Sequence, residues 1–397
     1  MTKMNDENGK LRLEDLGYGD FFEGARQKMG LGVFEVARVV AEYKELYRVK
    51  NAEGEYLAKI TGKQIFSAVS REDFPAVGDW VAISKINEEQ AVIEGVLPRK
   101  SMIKRKAAGK NEIQIIAANI DFALVVQAVD GDYSLNRFER YFAISRDGGV
   151  TPAIVLNKID LVSKEDLDSR IGQIKSRFGN IDIIAASTVT DAGLDGLRNY
   201  IKAGKTYCFL GSSGVGKSTL INKLIGKEAI KTGTVSVDTD RGRHITTGRE
   251  MYFLPNNSSV SLTINSSASL TINSSASLTI NSSASLTING IVVDNPGMRE
   301  VGMADAAAGV DDVFGQIAAL AKECKYADCT HTREPGCAVL AAVKSGRLEA
   351  EVYDNYVSLK KETGYYEMSE FEKREKDRQF GKFVNFAKRQ VKKYKGR

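Results

Sequence analysis

The sequence predicts a multidomain chain. A small β-barrel comes first, then an α/β region with a parallel sheet, then a helical C-terminal region around a Cys/His cluster. Three observations predict this. Residues 31–98 hold five or so short β-type runs. From residue 111, strand and helix patterns alternate in βαβα order, the pattern of a parallel sheet with helices on its faces. Three of the four cysteines and one of the two histidines fall between Cys324 and Cys337.

Composition sets the outer limits. A length of 397 residues accommodates two or three domains. The hydrophobic share of 43% and charged share of 27% are those of a globular protein. A net charge of +5 and a pI near 8.8 permit an RNA partner without requiring one. No apolar run is long enough to span a bilayer, and Met1–Glu7 lacks the apolar core of a signal peptide. A cytoplasmic monomer without membrane contact is expected. Four cysteines are too few and too clustered for a disulfide framework.

Residues 1–30 are polar and read as an N-terminal arm or short helix. The next region, 31–105, carries the runs Val33–Val40, Leu46–Val49, Tyr56–Ile60, Asp79–Ile83 and Ala91–Val96, separated by Gly- and Asn-containing turns. Five short strands in this length fit an OB-fold, although another small β-domain would show the same runs. The stretch from Arg99 to Lys110 holds six cations and no acid. It reads either as a phosphate-backbone contact or as a solvated linker.

The α/β region spans 111–315. Ala123–Val129 is a continuous apolar run, as expected of a strand covered on both faces. Leu135–Ser145 has a helical pattern, Pro152–Leu156 is the next strand, 164–178 is a charged amphipathic helix and Ile181–Ala185 another strand. Then the strand Tyr207–Leu210 leads into Gly211-Ser212-Ser213-Gly214-Val215-Gly216-Lys217-Ser218-Thr219, and that into the helix start Leu220–Ile225. This is a G-x-x-x-x-G-K-[ST] loop in its required strand–loop–helix context. The glycines let successive N–H groups point at one anion, and the helix N-terminus adds its positive dipole end. Lys217 suits the β- and γ-phosphates of a nucleotide, and the Ser218 hydroxyl suits Mg²⁺.

Asn157-Lys158-Ile159-Asp160 follows the strand before it. A carboxylate at Asp160 can accept from both N1–H and the 2-amino group of guanine, a donor pair that adenine lacks. Asn157 can reach N7 and O6, and the Lys158 stem can cover the base. The loop from Ser187 to Leu194 is placed to offer backbone N–H to guanine O6, with Thr188 and Val189 departing from the usual Ala and Lys. Two further elements follow the phosphate loop. Gly242-Arg243-His244-Ile245-Thr246-Thr247 would supply a switch I threonine for Mg²⁺, taken as Thr246 over Thr247. Asp294-Asn295-Pro296-Gly297 would hold Mg²⁺ through water at Asp294 and sense γ-phosphate through the Gly297 N–H. Base-selecting elements before the phosphate loop and switches after it make a circularly permuted GTPase order.

These motifs, in this order and with G-R-H-x-T-T, resemble the ribosome small-subunit-dependent GTPases (RsgA/YjeQ). The resemblance covers most of the chain. It implies an OB domain, a permuted GTPase domain and a zinc-binding C-terminal domain. It also implies a role in late maturation of the small ribosomal subunit, with GTP, GDP and rRNA as partners. Met298 stands after D-x-P-G, where many GTPases carry a water-orienting Gln. An apolar side chain cannot orient water, so intrinsic hydrolysis is expected to be slow, with His244 either the candidate substitute or a histidine that binds rRNA or packs.

Between the expected hairpin strands lies an unusual insertion, 256–289, in which Asn-Ser-Ser-Ala-Ser-Leu-Thr-Ile repeats four times, with Val260 replacing Ala in the first copy. Near-identity of the copies reads as tandem duplication, and their polarity favours disorder over an extended ribbon. The region 316–397 carries Cys324, Cys329, His331 and Cys337, a C-x4-C-x-H-x5-C set suited to one tetrahedral, structural Zn²⁺ per chain. From Lys382 to Arg397 there are seven cations and no acid, either an rRNA contact or a solvated end. Two other functions are weighed against GTP hydrolysis on the small subunit: a nucleotide-gated RNA-binding module with incidental hydrolysis, and a metabolic P-loop kinase. The guanine-selecting and D-x-P-G elements argue against the kinase.

Overall fold

In the computed structural model, residues 11–43, 46–106, 113–131, 133–226, 230, 249–255, 288–294, 306–369, 371–376, 378, 381, 382 and 384 are described. The barrel region begins with helix α1 (Asp20–Lys28) and strands β1 (Glu35–Glu42), β2 (Tyr47–Lys50) and β3 (Glu55–Ile60). A short helix α2 (Gly62–Ser67), β4 (Trp80–Lys85) and β5 (Gln90–Val96) complete it. The expected runs are therefore strands, each within a few residues of its predicted ends. Strand order is β1-β2-β3-β5-β4, and β4 pairs back onto β1, which closes the barrel. The β3–β5 pair is parallel and the others antiparallel. Five strands closed in this order form the expected OB-fold. Alternating residues of these strands, among them Val39, Val49, Ala58, Val81 and Ile93, fill its core.

Arg38 of β1 is 1% exposed, which is rare for a charged side chain. It donates to the carbonyls of Leu16, Gly78 and Asn119 and lies against the Trp80 ring. Burial pulls its pKa down to about 10 against the opposing pull of Asp121 and Asp79. One guanidinium thus ties the N-terminal arm, the barrel and the chain entering the next region. In the run from Arg99 to Lys110, Arg99 is committed to the interior, where it grips the buried Asp79 at 2.7 Å. Lys100 is exposed and sits over the rings of Phe21 and Phe22.

Next come β6 (Met102–Lys106), β7 (Ile113–Ala118), β8 (Phe122–Ala128), helix α3 (Leu135–Asp147), β9 (Thr151–Asn157), α4 (Lys164–Phe178), β10 (Ile183–Ala185), α5 (Leu194–Tyr200), β11 (Thr206–Leu210), α6 (Lys217–Ile225), β12 (Glu250–Pro255) and β13 (Ile288–Asp294). β6 and β7 pair as a separate two-stranded sheet. The main sheet runs β10-β9-β8-β11-β13-β12, parallel except for the antiparallel β12. Its core holds Leu124, Val126, Val155, Phe209, Leu220 and Val292. β12 also pairs with β1, so barrel and α/β sheet are continuous. The repeats join β12 to β13, and they lie outside the described residues.

By contacts, the chain forms two compact units. The first holds 1–102, 116–133 and 151–299, and the second 103–115, 134–150 and 300–397. The second contains α7 (Ala307–Val313), α8 (Gly315–Ala321), α9 (Ala338–Lys344) and α10 (Ala350–Glu367). It also contains α3, inserted between β8 and β9 in the chain. Gly309 lets α7 meet the α3 backbone, since a Cβ there would lie 2.0 Å from the Ala143 carbonyl oxygen. Arg140 pairs with Glu362, and Arg146 with Asp312. Among the described residues, no helix is long and apolar enough to cross a membrane.

Candidate functional site

Every residue of β11 is buried between β8 and β13, so the loop it releases is anchored by the sheet's core. Gly211 and Gly216 are required there. Gly211 has φ +145°, and a Cβ on it would meet the Val126 carbonyl oxygen at 2.2 Å; Gly216 has φ +93°, and its Cβ would meet Asn157 Nδ2 at 2.3 Å. α6 begins at Lys217, so the glycine-rich loop runs directly into a helix N-terminus, the setting that an anion site uses. Lys217 Nζ donates to the carbonyls of Gly211 and Ser212, both at 2.7 Å. Burial lowers its pKa to about 8, opposed by the charge of Asp294.

Asn157 ends β9 and is fully buried. Its Nδ2 donates to the Val215 carbonyl at 2.8 Å, which joins the base-side motif to the phosphate loop. Its Oδ1 is buried without a hydrogen-bond partner, a costly arrangement that a donor in the site would relieve. Lys158 takes a left-handed backbone, φ +62°, and its Nζ pairs with Asp130 Oδ2 at 3.1 Å. Asp160 lies in the 3-10 turn Ile159–Leu161 and accepts the Ser187 hydroxyl. The Ser187 Oγ in turn accepts the N–H groups of Val189 and Thr190, each at 3.1 Å. One buried hydroxyl thus folds the loop and aims the carboxylate. Lys223 of α6 pairs with Asp191 at 2.6 Å and ties the same loop to the phosphate-loop helix.

The base-side motif, the Ser187 loop and the phosphate loop therefore meet at one end of the parallel strands. Sequence reasoning singled out Ser187 for its loop backbone; the geometry adds a side-chain role. It missed Asp130 altogether, because nothing in the β8–α3 linker marks a partner for Lys158. Asp294 ends β13, 5% exposed, one strand from the phosphate loop. His244, Thr246 and Gly297 lie outside the described residues.

The second unit holds the Cys/His cluster. The ligand atoms of Cys324, Cys329, His331 and Cys337 all lie within 4.8 Å of one another. His331 Nδ1 is 3.6 Å from the sulfurs of Cys324 and Cys337, which are 3.9 Å apart. A tetrahedron with Zn–S of about 2.3 Å and Zn–N of about 2.0 Å has edges of about 3.8 Å between sulfurs and about 3.5 Å from sulfur to nitrogen. The donor set fits zinc in both chemistry and spacing, and four protein ligands leave no open position. Glu334 fixes the knuckle: its carboxylate accepts the Thr330 hydroxyl and the N–H groups of Thr330, Thr332 and Arg333. These bonds, the Thr330 hydroxyl first, hold its pKa well below the usual carboxylate range. His331 takes a left-handed backbone, and Tyr353 donates to its carbonyl at 2.8 Å.

A sequence model of the RsgA GTPase family matches residues 96–263. The chain is 37% identical to "Small ribosomal subunit biogenesis GTPase RsgA 2" of Lactiplantibacillus plantarum, over 83% of this chain and 84% of that one. It is 32% identical to "Small ribosomal subunit biogenesis GTPase RsgA 1" of Bacteroides thetaiotaomicron, over 97% and 99%. Among solved structures it is similar in fold to YjeQ from Thermotoga maritima, with a TM-score of 0.55 and 24% identity over 82% of this chain and 96% of that one. It is also similar to YloQ, described as a circularly permuted GTPase, with a TM-score of 0.53 and 19% identity over 85% and 97%.

Proposed function

The chain belongs to the RsgA family of GTPases, and from that premise we propose that it hydrolyses GTP on the small ribosomal subunit. There it assists late maturation, and hydrolysis times its release. The observation that carries the reading is the meeting of a phosphate loop with a serine-aimed Asp160 and a buried, half-satisfied Asn157. Asp160 and Asn157 select guanine, and Lys158 covers it. Gly211, Ser212, Ser213, Gly214, Val215, Gly216, Lys217, Ser218 and Thr219 cradle the phosphates. Ser218, Thr246 and Asp294 arrange Mg²⁺, which when bound would neutralise the charge that develops between the β- and γ-phosphates. Lys217 leaves its loop carbonyls to reach the nucleotide. Gly297 senses the γ-phosphate, and His244 positions water.

Cys324, Cys329, His331 and Cys337 hold a structural Zn²⁺, which keeps the 324–337 segment folded. The working divisions are the arm 1–30, barrel 31–105, GTPase 111–315 and zinc and helical region 316–397. The protein acts as a monomer in the cytoplasm, where its basic barrel and tail meet rRNA. The test is GTP turnover measured alone, with small subunits and with large subunits. Stimulation by small subunits only is expected. Equal turnover in all three would favour a nucleotide-gated RNA-binding module instead.

A further inference from the structure

Among the described residues, strand pairing joins the barrel to the main sheet at β1 against β12, with Ala41 opposite Glu250. In the chain, β12 follows the segment 242–247, and its hairpin partner β13 ends in Asp294. On the reading proposed above, this hairpin links the two segments that respond to the γ-phosphate. Residues at the hairpin's entrance are held by the barrel. Arg249 Nη1 lies 3.6 Å from Glu42 Oε2, while Glu42 Oε1 lies 2.9 Å from Arg71 Nη2. Arg48 Nη2 lies 3.4 Å from Glu250 Oε1. Glu250 in turn stands directly opposite Asp294 across the hairpin.

The inner side of the Glu42 cluster is shielded, with the Glu42 side chain 15% exposed and that of Arg249 13%, while Arg71 on the outer side is 44% exposed. With so little water, Glu42 cannot release Arg249 cheaply, and its second oxygen holds Arg71 at the surface, so the carboxylate links the two ends. Arg71 opens a 3-10 turn, Arg71–Asp73, in the excursion between β3 and β4. Local hydrogen bonds brace that excursion. Capping boxes at Thr61/Gln64 and Ser70/Asp73 close two of its turns. Arg99 donates to the carbonyls of Glu72 and Phe74 at 2.7 and 2.9 Å. These bonds flank Arg71 and tie its turn to the barrel.

We propose that Glu42 is a positioning residue for GTP hydrolysis. Its carboxylate couples the barrel excursion 61–74, through Arg71, to the start of β12, through Arg249, so that what the barrel binds sets where the chain leaving 242–247 stands. The coupling rests on the proposed role on the small subunit for its biological input, but not for its test. Amide hydrogen exchange of 61–74 is compared in the full chain with GDP and with a non-hydrolysable GTP analogue. Protection in the unmodified chain should change by at least about threefold between nucleotides. The change should vanish in Glu42→Gln and Arg71→Gln and return in part in Glu42→Asp, with nucleotide affinity in every variant within about twofold of the parent. A merely structural ion pair would not make 61–74 sense the nucleotide. No nucleotide-dependent change in the parent, or an undiminished one in folded Glu42→Gln, overturns the proposal. With small subunits, Glu42→Gln should lose about tenfold of the stimulation; full stimulation would also overturn it. An unstimulated parent would count against the proposed function and leave hydrogen exchange to decide the coupling.

Discussion

Lys217 joins charge and geometry at the candidate site. Its ammonium is stowed against the carbonyls of Gly211 and Ser212, and burial holds its pKa at about 8, below the usual lysine range. A triphosphate beside it would favour the charged form and raise that pKa. Above pH 8 the free protein holds Lys217 neutral, so binding must take up a proton and affinity falls as pH rises. Nucleotide affinity should drop about tenfold from pH 7 to pH 9, with Lys217→Arg nearly flat over the same range. A flat profile in the parent would separate Lys217 from the phosphates. At the base, Asp160→Asn should weaken GTP binding about tenfold to a hundredfold, because charged hydrogen bonds are lost. It should also favour xanthosine triphosphate, whose 2-oxo group accepts from an amide. Unchanged preference in competition binding would remove Asp160 from the guanine site. These residues were legible in sequence because their motifs are local. Their partners were not. Asn157 meets Val215, Lys158 meets Asp130 and Arg38 meets Asn119 across 58, 28 and 81 positions. Only the folded sheet makes those meetings.

At the scale of elements, the barrel and main-sheet strands were legible as short apolar or alternating runs, while β6 and β7 were not, because β6 lies in a basic run read as linker or phosphate contact. The Cys/His cluster was legible from its local spacing, since its ligands span 14 residues, Cys324 to Cys337. The fate of Arg99 and Lys100 was not legible. A basic run looks alike whether solvated or folded against Asp79 and two rings. The pairing of β12 with β1 was equally hidden, because an edge strand carries no label for the domain it joins. Replacing Cys324 and Cys329 with Ser should abolish zinc content and increase hydrogen exchange across 324–337, while nucleotide affinity stays within about twofold. A metal-free variant with undisturbed 324–337 would make the metal dispensable for the fold. Deleting 258–287 should likewise leave nucleotide affinity within about twofold, because the insertion joins two strands already paired as a hairpin. Lost binding in a soluble, folded deletion would make the repeats part of the active fold.

At the scale of the whole molecule, the permuted order decides what the nucleotide can move. Asp294 ends the last strand of the sheet, and the chain that follows it leads into the second unit with its Cys/His cluster. On the proposed function, loss of the γ-phosphate would be reported to two places: along the β12–β13 hairpin to the barrel, and along the chain after Asp294 to the C-terminal region. Both regions carry basic segments suited to rRNA. On that proposal, the protein would grip the small subunit with one nucleotide and let go with the other. The measurement that tests this most directly is its affinity for purified small subunits at fixed salt, with a non-hydrolysable GTP analogue and with GDP. The account predicts binding at least about tenfold tighter with the analogue, a coupling of about 1.4 kcal/mol. Equal affinity in the two states would contradict it, even if the protein hydrolysed GTP at full rate.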